Sequence, residues 1–486
     1  QHRITEIRTQ DLAFNESQLI SLFQKMGVST LDHKFSQLLL EKTEGWIVGL
    51  RLALMSTNNQ NDLKQTIQNL KGDTHLVSEY LMEEVLARQP AEIQETLLYA
   101  SILDRFSPQL LDLLIAQGED KGTQELSGEE VIQYLINANL FIIPLDVQRN
   151  WFRFHHLFQD VLQRKLTGSI QKDKINQLHY QVSEWFEKQG FISEAIHQAI
   201  NSQSFDLARE IIEKYWISEL NKDHWFTVTQ WLPLIPDEMT DKSVSLSLLK
   251  AQVYYLQNNF EKIPPILDRI RNTDQNLTDF EDGLIASLDC IFCFIDERGD
   301  EAIQFAEKAL RLIPKDYYRF RSDLETWLML ALHLTGKGDL AFQKIDKAIH
   351  VLEPPGEPIQ LSRYVAQKAF LNLLNIDFEN LRININDFLK IKNLNPYTQT
   401  FLEYLKASNY WWSYNPDEVI RGFDPVIENQ YHVEAQLGMD AYIAKAISLQ
   451  ELGRTEDAKQ LMDQALKEVE ETGIEENLAL IRSGFA

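Results

Sequence analysis

The residues arranged for chemistry are a histidine pair, a cysteine pair, one acidic run and two aromatic groups. His155 and His156 lie together in RFHHLFQDVL (Arg153–Leu162). An imidazole N–H can donate to a phosphate oxygen, and partial protonation strengthens that contact. The same pair also suits the plain start of a helix. Cys290 and Cys293 form a CxxC, but only two cysteines occur, so no second pair completes a zinc site. Two small buried residues is the better reading for them than redox action. IFCFIDE (Ile291–Glu297) imitates an apolar strand ending in acids that could hold magnesium. No GxxxxGK[ST] occurs to cradle phosphates, so helix core packing is expected there. NYWWSYNP (Asn409–Pro416), with Tyr404 upstream, is the densest aromatic group. Trp411, Trp412, Tyr414 and Tyr404 are candidate ligand-binding residues, since exposed rings could stack on a sugar or grip a peptide. Filling the space between helices is the competing role. Adjacent Trp411 and Trp412 point about 100° apart on a helix, so one should lie off the core direction. Tyr317, Tyr318 and Phe320, beside Arg319 and Arg321, could supply charge for an anionic ligand. With no HExxH or GxSxG, no catalytic constellation emerges, and this chain by itself is not expected to be an enzyme.

The elements that must position these residues are helical. Glycine (19) and proline (14) are scarce among 486 residues, which disfavours a strand-rich fold with many tight turns. From about residue 174 a repeat is visible. Gly453 is followed by Ala458, Met462 and Ala465, and Gly336 by Ala341, Ile345 and Ala348. Gly190 with Ala195 and Ala199 is looser, and Ala302, Ala306, Ala309 and Pro314 give a fourth copy. Small residues at that spacing let antiparallel helices approach closely and stack on the next pair. Ala302 to Ala341 is 39 residues, slightly longer than the ~34 of the tetratricopeptide unit. The expectation is a tetratricopeptide-like α-solenoid over 168–486.

Earlier residues read differently. HRITEIR (His2–Arg8) alternates like a short strand. Helices fit Asn15–Met26, His33–Met55, Val77–Arg88, Ala91–Leu103, Pro108–Gln117 and Glu129–Ala138. Leu140–Asp146 and Trp151–Phe154 suggest a β-hairpin, with Pro144 on an edge strand, before a helix at His155–Leu166. Helices followed by a hairpin describe a winged-helix domain, placed at 75–167, after a helical arm at 1–74. The wing carries Asp146, Arg149 and Arg153 without a basic cluster, so a structural or regulatory wing is expected rather than a DNA-binding one. The charge agrees: 47 basic against 72 acidic residues give −25, which repels phosphate backbones. No run approaches the ~18 apolar residues of a membrane span. Few cysteines and no signal segment point to the cytoplasm.

Several motifs in order resemble the MalT-type regulators, a LuxR-family branch of the STAND signal-transduction ATPases. TEGWIVGLRLAL (Thr43–Leu54) is similar to that family's TEGW motif, and its GLRLAL half to the GLPLAL of NB-ARC proteins. YLMEEVLARQP (Tyr80–Pro90), ETLLYASILDRF (Glu95–Phe106), NLFIIPLD (Asn139–Asp146) and WFRFHHLFQDVLQRKL (Trp151–Leu166) follow in family order. The resemblance implies that Phe154, His155 and His156 occupy an MHD-type element whose central histidine, here His155, touches the β-phosphate of ADP and holds the protein inactive. His156 stands where many relatives carry aspartate. Gly49 and Arg51 would lie beside the adenine, with Arg51 in place of the usual proline. Relatives carry a nucleotide-binding domain before the present Gln1 and often a helix-turn-helix after the repeats, so both ends of this chain look cut. HRITEIR would be the last strand of the nucleotide domain.

The expected protein is therefore mainly α, and the sensing and switching portion of an ATP-dependent transcriptional regulator. ATP and ADP are implied for a complete protein, not for this piece alone. A small-molecule or protein inducer is expected on the repeats, self-association on activation, and DNA contact only through a domain absent here. The alternative is a constitutive tetratricopeptide scaffold without a nucleotide switch.

Overall fold

The computed structural model of the chain describes residues 14–25, 36–37, 40, 80–118, 126–138, 140–273, 276–352, 358–389, 396–433 and 435–472. The TEGW motif, the strand expected at His2–Arg8 and most of the arm at 1–74 lie outside these residues. The chain divides into two compact units, Gln1–Ala208 and Arg209–Ala486.

In the first unit, α1 (Glu16–Lys25) is followed by a π-helical turn at Tyr80–Leu86 and by α2 (Ala91–Ala100), α3 (Pro108–Ile115) and α4 (Gly128–Asn137). Ser107 caps α3 and a Ser127–Glu130 capping box starts α4, each satisfying amide groups that the first helical turn leaves open. Gly128 is required where it stands, because a Cβ there would run into the Pro108 carbonyl. Next come β1 (Ile142–Pro144) and β2 (Phe152–Phe154), antiparallel with Ile142 opposite Phe154. Phe106 bridges the other side of β2 through two 2.8 Å backbone hydrogen bonds, which leaves β1, with Pro144, at the edge. Helix α5 (His156–Ser169) closes the winged helix. Its Gln159 and Gln163 amides donate to the Ser101 and Leu103 carbonyls beyond α2. Phe106, Phe152, Phe154 and Phe158 fill the core.

The sequence placed the first repeat pair after residue 167. That pair, α6 (Lys172–Lys188) and α7 (Ile192–Asn201), instead shares the compact unit of the winged helix. Lys174 Nζ donates to the Gln117 carbonyl beyond α3. Ala195 and Ala199 are fully buried, as the repeat spacing requires.

Helix α8 (Phe205–Asn221) crosses the division between the units. In the second unit, α9 (Trp225–Trp231) and α10 (Asp237–Lys242) precede a run of helix pairs: α11 (Val244–Leu256) with α12 (Pro264–Arg271), α13 (Asp279–Ile295) with α14 (Gly299–Leu312), and α15 (Tyr318–Leu334) with α16 (Gly338–Leu352). Then follow α17 (Pro358–Leu374) with α18 (Phe378–Phe388), and α19 (Pro396–Trp412) with α20 (Pro416–Gly422). After the short α21 (Asp424–Glu428), α22 (Ala435–Glu451) and α23 (Thr455–Thr472) make the last pair. The first helix of each pair touches the first helix of the next, giving the continuous layer of a helical solenoid. Ala302, Ala306, Ala309, Ala341 and Ala465 are fully buried between paired helices. Gly336 and Gly453 take left-handed φ of 73° and 74° at the turns within pairs, where a side chain is disfavoured.

Candidate functional site

His155 is the residue before the first turn of α5, so the geometry of β2 fixes its backbone and the helix fixes its ring. Its N–H donates to the Phe141 carbonyl at 2.8 Å, and its Nδ1 accepts from the Leu157 N–H at 3.3 Å. A neutral ring that accepts at Nδ1 carries its proton on Nε2. The side chain is buried with its edge toward Phe141, centroids 6.3 Å apart, whereas His156 is exposed. The two histidines do begin a helix, but only His155 is built into it as a cap. Gly49 and Arg51 lie outside the described residues.

Four residues before His155, Trp151 takes part in a contact that sequence spacing did not reveal. The Arg105 guanidinium lies over two rings that meet edge to face, 4.5 Å from the Trp151 centroid and 4.9 Å from that of Phe191. It also forms an ion pair with Glu194 on α7. Trp185 meets Trp151 edge-on at 6.4 Å. Arg105 thus clasps the hairpin of the winged helix to the first helix pair of the repeat type. A single arginine in a helix–loop segment has no periodic signature, and its partners are 46 to 89 residues away.

Two charged side chains of the wing are engaged locally. Asp146 accepts from the Asn150 and Trp151 amides, and those bonds, Asn150 foremost, hold its carboxyl below the usual range. Arg153 donates to the Phe154 carbonyl at 3.1 Å.

On the repeats, the four aromatic candidates part company. Trp411 is half-buried against Ala407, Val419 and Phe423, while Trp412 is 61% and Tyr414 90% exposed. These three, with Pro416, Ser448 and Glu451, line a small open recess. Tyr404 does not join them. It lies between packed helices, and its hydroxyl donates to Asp440 at 3.4 Å. Burial pushes the Asp440 carboxyl above the usual carboxylate range, opposed by that hydrogen bond. Tyr404 is thus a packing residue, because the period of α19 turns it inward.

The Tyr317–Arg321 group is also internal. Phe320 packs edge-on against Trp216 and Phe280, and Arg321 donates to the Leu310 and Ile313 carbonyls at 2.7 Å, tying down the end of α14. Arg319 is buried and pairs with Asp223 and Asp323. IFCFIDE ends α13: Ile291 and Cys293 are buried, and Asp296 pairs with Arg298 in the turn. Burial raises both thiols, that of Cys290 to about 12, so neither is a nucleophile near neutrality. Among the described residues no cluster of His, Cys, Asp and Glu could hold a metal ion, and no helix is long and apolar enough to cross a membrane.

Comparison with known proteins bears on the winged helix first. The family model of the MalT winged helix domain matches residues 82–174. The chain is 28% identical over 352 residues to the HTH-type transcriptional regulator MalT of Serratia proteamaculans, covering 70% of this chain and 37% of that protein. To the MalT regulators of Vibrio campbellii and Yersinia pestis it is 24% identical over 354 and 26% over 351 residues, covering 72% and 70% of this chain. It therefore spans less than two-fifths of the length of these relatives. Among solved structures, a STAND protein with a tetratricopeptide repeat sensor from Pyrococcus horikoshii aligns at 14% identity, 97% of this chain and 68% of that one, with a TM-score of 0.43. Residues 82–174 thus match the MalT winged helix, and the chain is similar to MalT-type regulators over about 70% of its length.

Proposed function

We propose that this chain is the sensing and switching portion of a MalT-type, ATP-dependent transcriptional regulator. The observation that carries the reading is the place of His155. It stands at the N-terminus of a 14-residue helix, inside the matched winged-helix segment, with Nδ1 satisfied by the backbone and the ring proton assigned to Nε2. A helix N-terminus and an imidazole donor together suit an anionic oxygen, so these residues fit the β-phosphate of ADP. His155 would hold that phosphate in the resting state, with Gly49 and Arg51 near the base. The nucleotide supplies the chemistry of the switch, and the residues of this chain orient it and report its presence. The sequence carries no phosphate loop of its own, so the isolated chain should bind ATP or ADP weakly at best and hydrolyse neither.

The clasp around Arg105 gives the nucleotide element a mechanical partner. Trp151 is joined to His155 by the three residues of β2, so a shift of α6 and α7 that moves Trp151 strains the backbone that positions His155. An inducer on the repeats would favour the open form, provided that it binds the two states with different affinity. The recess beside Trp412 and Tyr414 is where we place it. Self-association, a cytoplasmic location and DNA contact through another part of the complete protein belong to the same reading.

In the complete protein, His155→Ala should raise basal transcription without inducer, and Trp412→Ala should blunt the response to inducer while leaving basal output alone. Basal output unchanged by His155→Ala would reduce that residue to a helix cap and remove the main support for the switch.

A further inference from the structure

The recess beside Trp412 has two kinds of wall. The end of α19 and the turn after it supply Trp411, Trp412 and Tyr414, and α22 supplies Ser448 and Glu451. Ser448 and Glu451 are three residues apart, so they share one face of α22. Tyr414 presents its ring from a left-handed backbone, φ 53°, where its N–H donates to the Trp411 carbonyl at 3.1 Å. Asn415 also lines the recess, but its side-chain oxygen accepts from the Glu418 N–H at 3.5 Å as the cap of α20.

Two polar groups of the recess are left over. Ser448 is 1% exposed, and its hydroxyl has no hydrogen-bond partner among the described residues. An orphaned buried hydroxyl weakens a fold, so its presence calls for a partner that arrives from outside. Glu451 is exposed and has no ion pair among the described residues. The basic residues of α19, α20, α22 and the turn after it are committed elsewhere: Lys406 to Glu403, Arg421 to Glu418, Lys445 to Asp424 and Arg454 to Asp457. None of the described residues that line the recess is basic.

Aromatic faces attract cations, and a carboxylate beside exposed rings selects positive charge. The net charge of −25 favours the approach of the same ligand. A neutral sugar would leave Glu451 without a counter-charge and would find few free polar groups for its own hydroxyls. A quaternary ammonium would have no N–H for Ser448. We propose that the recess is a binding site for a small protonated primary amine. Glu451 pairs with the ammonium group, the Trp412 and Tyr414 rings cover it, and one ammonium N–H donates to Ser448 Oγ. That oxygen is closed to bulk water, so the amine reaches it as the exposed Trp412 side chain turns. As a statement about the inducer, this rests on the reading that places the inducer here.

The test is a titration of the whole chain, labelled with fluorotryptophan, by pentylammonium chloride. Fluorine NMR reads the Trp412 signal, assigned by its loss in Trp412→Phe. That signal should move saturably with millimolar pentylammonium, at least about fivefold tighter than with pentanol, and sodium chloride at matched ionic strength should not move it. Glu451→Gln should weaken the amine about fivefold, and added salt should weaken it in the wild type. Ser448→Ala should also weaken the amine while raising the denaturant midpoint, because the orphaned hydroxyl is gone. Pentanol or a methyl glucoside binding as tightly as the amine would overturn the proposal, and so would unchanged amine affinity in Glu451→Gln or Ser448→Ala. The inducer response of the complete protein separates this from the placing of the inducer. Amine binding together with a normal response in Trp412→Ala keeps this site and removes that placing. A blunted response without preference for the amine does the reverse.

Discussion

Replacing Arg105 with alanine should loosen α6 and α7 from the wing by an amount that the geometry sets. The guanidinium sits 4.5 Å and 4.9 Å from two aromatic centroids, and each such contact contributes about 0.5–1 kcal/mol at a partly exposed site. The ion pair with Glu194 is a third exposed on both sides, so solvent screening holds it to about 0.5 kcal/mol. With the lost packing of the aliphatic stem, Arg105→Ala should cost about 2–3 kcal/mol. Arg105→Lys retains the charge but not the planar stack, so it should recover only the ion pair and part of the stem. Hydrogen exchange at the amides of α7 under native conditions reads the local opening energy directly. A double-mutant cycle with Phe191→Ala should give a coupling of about 1 kcal/mol. A change below about 0.5 kcal/mol for Arg105→Ala, or full rescue by lysine, would refute the clasp, and with it the mechanical route from α7 to His155.

Trp411 and Trp412 should separate in urea unfolding: Trp411→Ala should cost about 2 kcal/mol, and Trp412→Ala, 61% exposed, less than about 0.5 kcal/mol. Glu325 has one carboxyl oxygen buried without a partner, and burial raises its pKa above the ordinary 4.5 despite a hydrogen bond from Tyr364. Its stabilising neutral form is fully present below that ordinary value and is lost as pH rises through the folded one. Glu325→Gln should therefore match the wild type near pH 4 and gain on it in denaturant midpoint as pH rises. A constant gap across that range would exclude the linkage. Ile376 is 72% exposed with φ 57°, a backbone region that β-branched residues resist. Ile376→Asn should raise thermal stability by about 1 kcal/mol, and a decrease would mean that its side chain packs more than its exposure suggests.

Three of the four repeat units that sequence revealed have turns that use glycine. Gly190, Gly336 and Gly453 have left-handed φ, and the buried alanines that follow each of them and lie before Pro314 have the expected spacing. Turns that take the same left-handed backbone with Asn258, Ile376 and Tyr414 belong to units that carried no readable signal, because tertiary packing imposes a conformation the residue does not prefer, whereas the unit after Glu297 was readable from Ala302, Ala306 and Ala309. The winged helix was legible almost element by element, since caps, Pro144 and the alternation of β2 are local features. His155 was found by motif, and its role as a cap needed the structure. Tyr404 lies apart from Trp412 and Tyr414 for a reason internal to the helix: nearness in sequence says nothing about which way α19 turns a side chain. The Arg105 clasp and the Asp223–Arg319 pair join distant residues, which one sequence cannot pair.

The central claim is that His155 holds the resting nucleotide, and the most direct measurement is the rate at which ADP leaves the complete protein. Labelled ADP, preloaded and chased with excess unlabelled ADP, should dissociate at least about tenfold faster from His155→Ala than from the wild type, which corresponds to the loss of one charge-assisted hydrogen bond of about 1.5 kcal/mol. The thermal midpoint without nucleotide should fall only by the contribution of a helix cap, about 1 kcal/mol. Equal dissociation rates, with the same small loss of stability, would contradict the account and leave His155 as a structural cap alone.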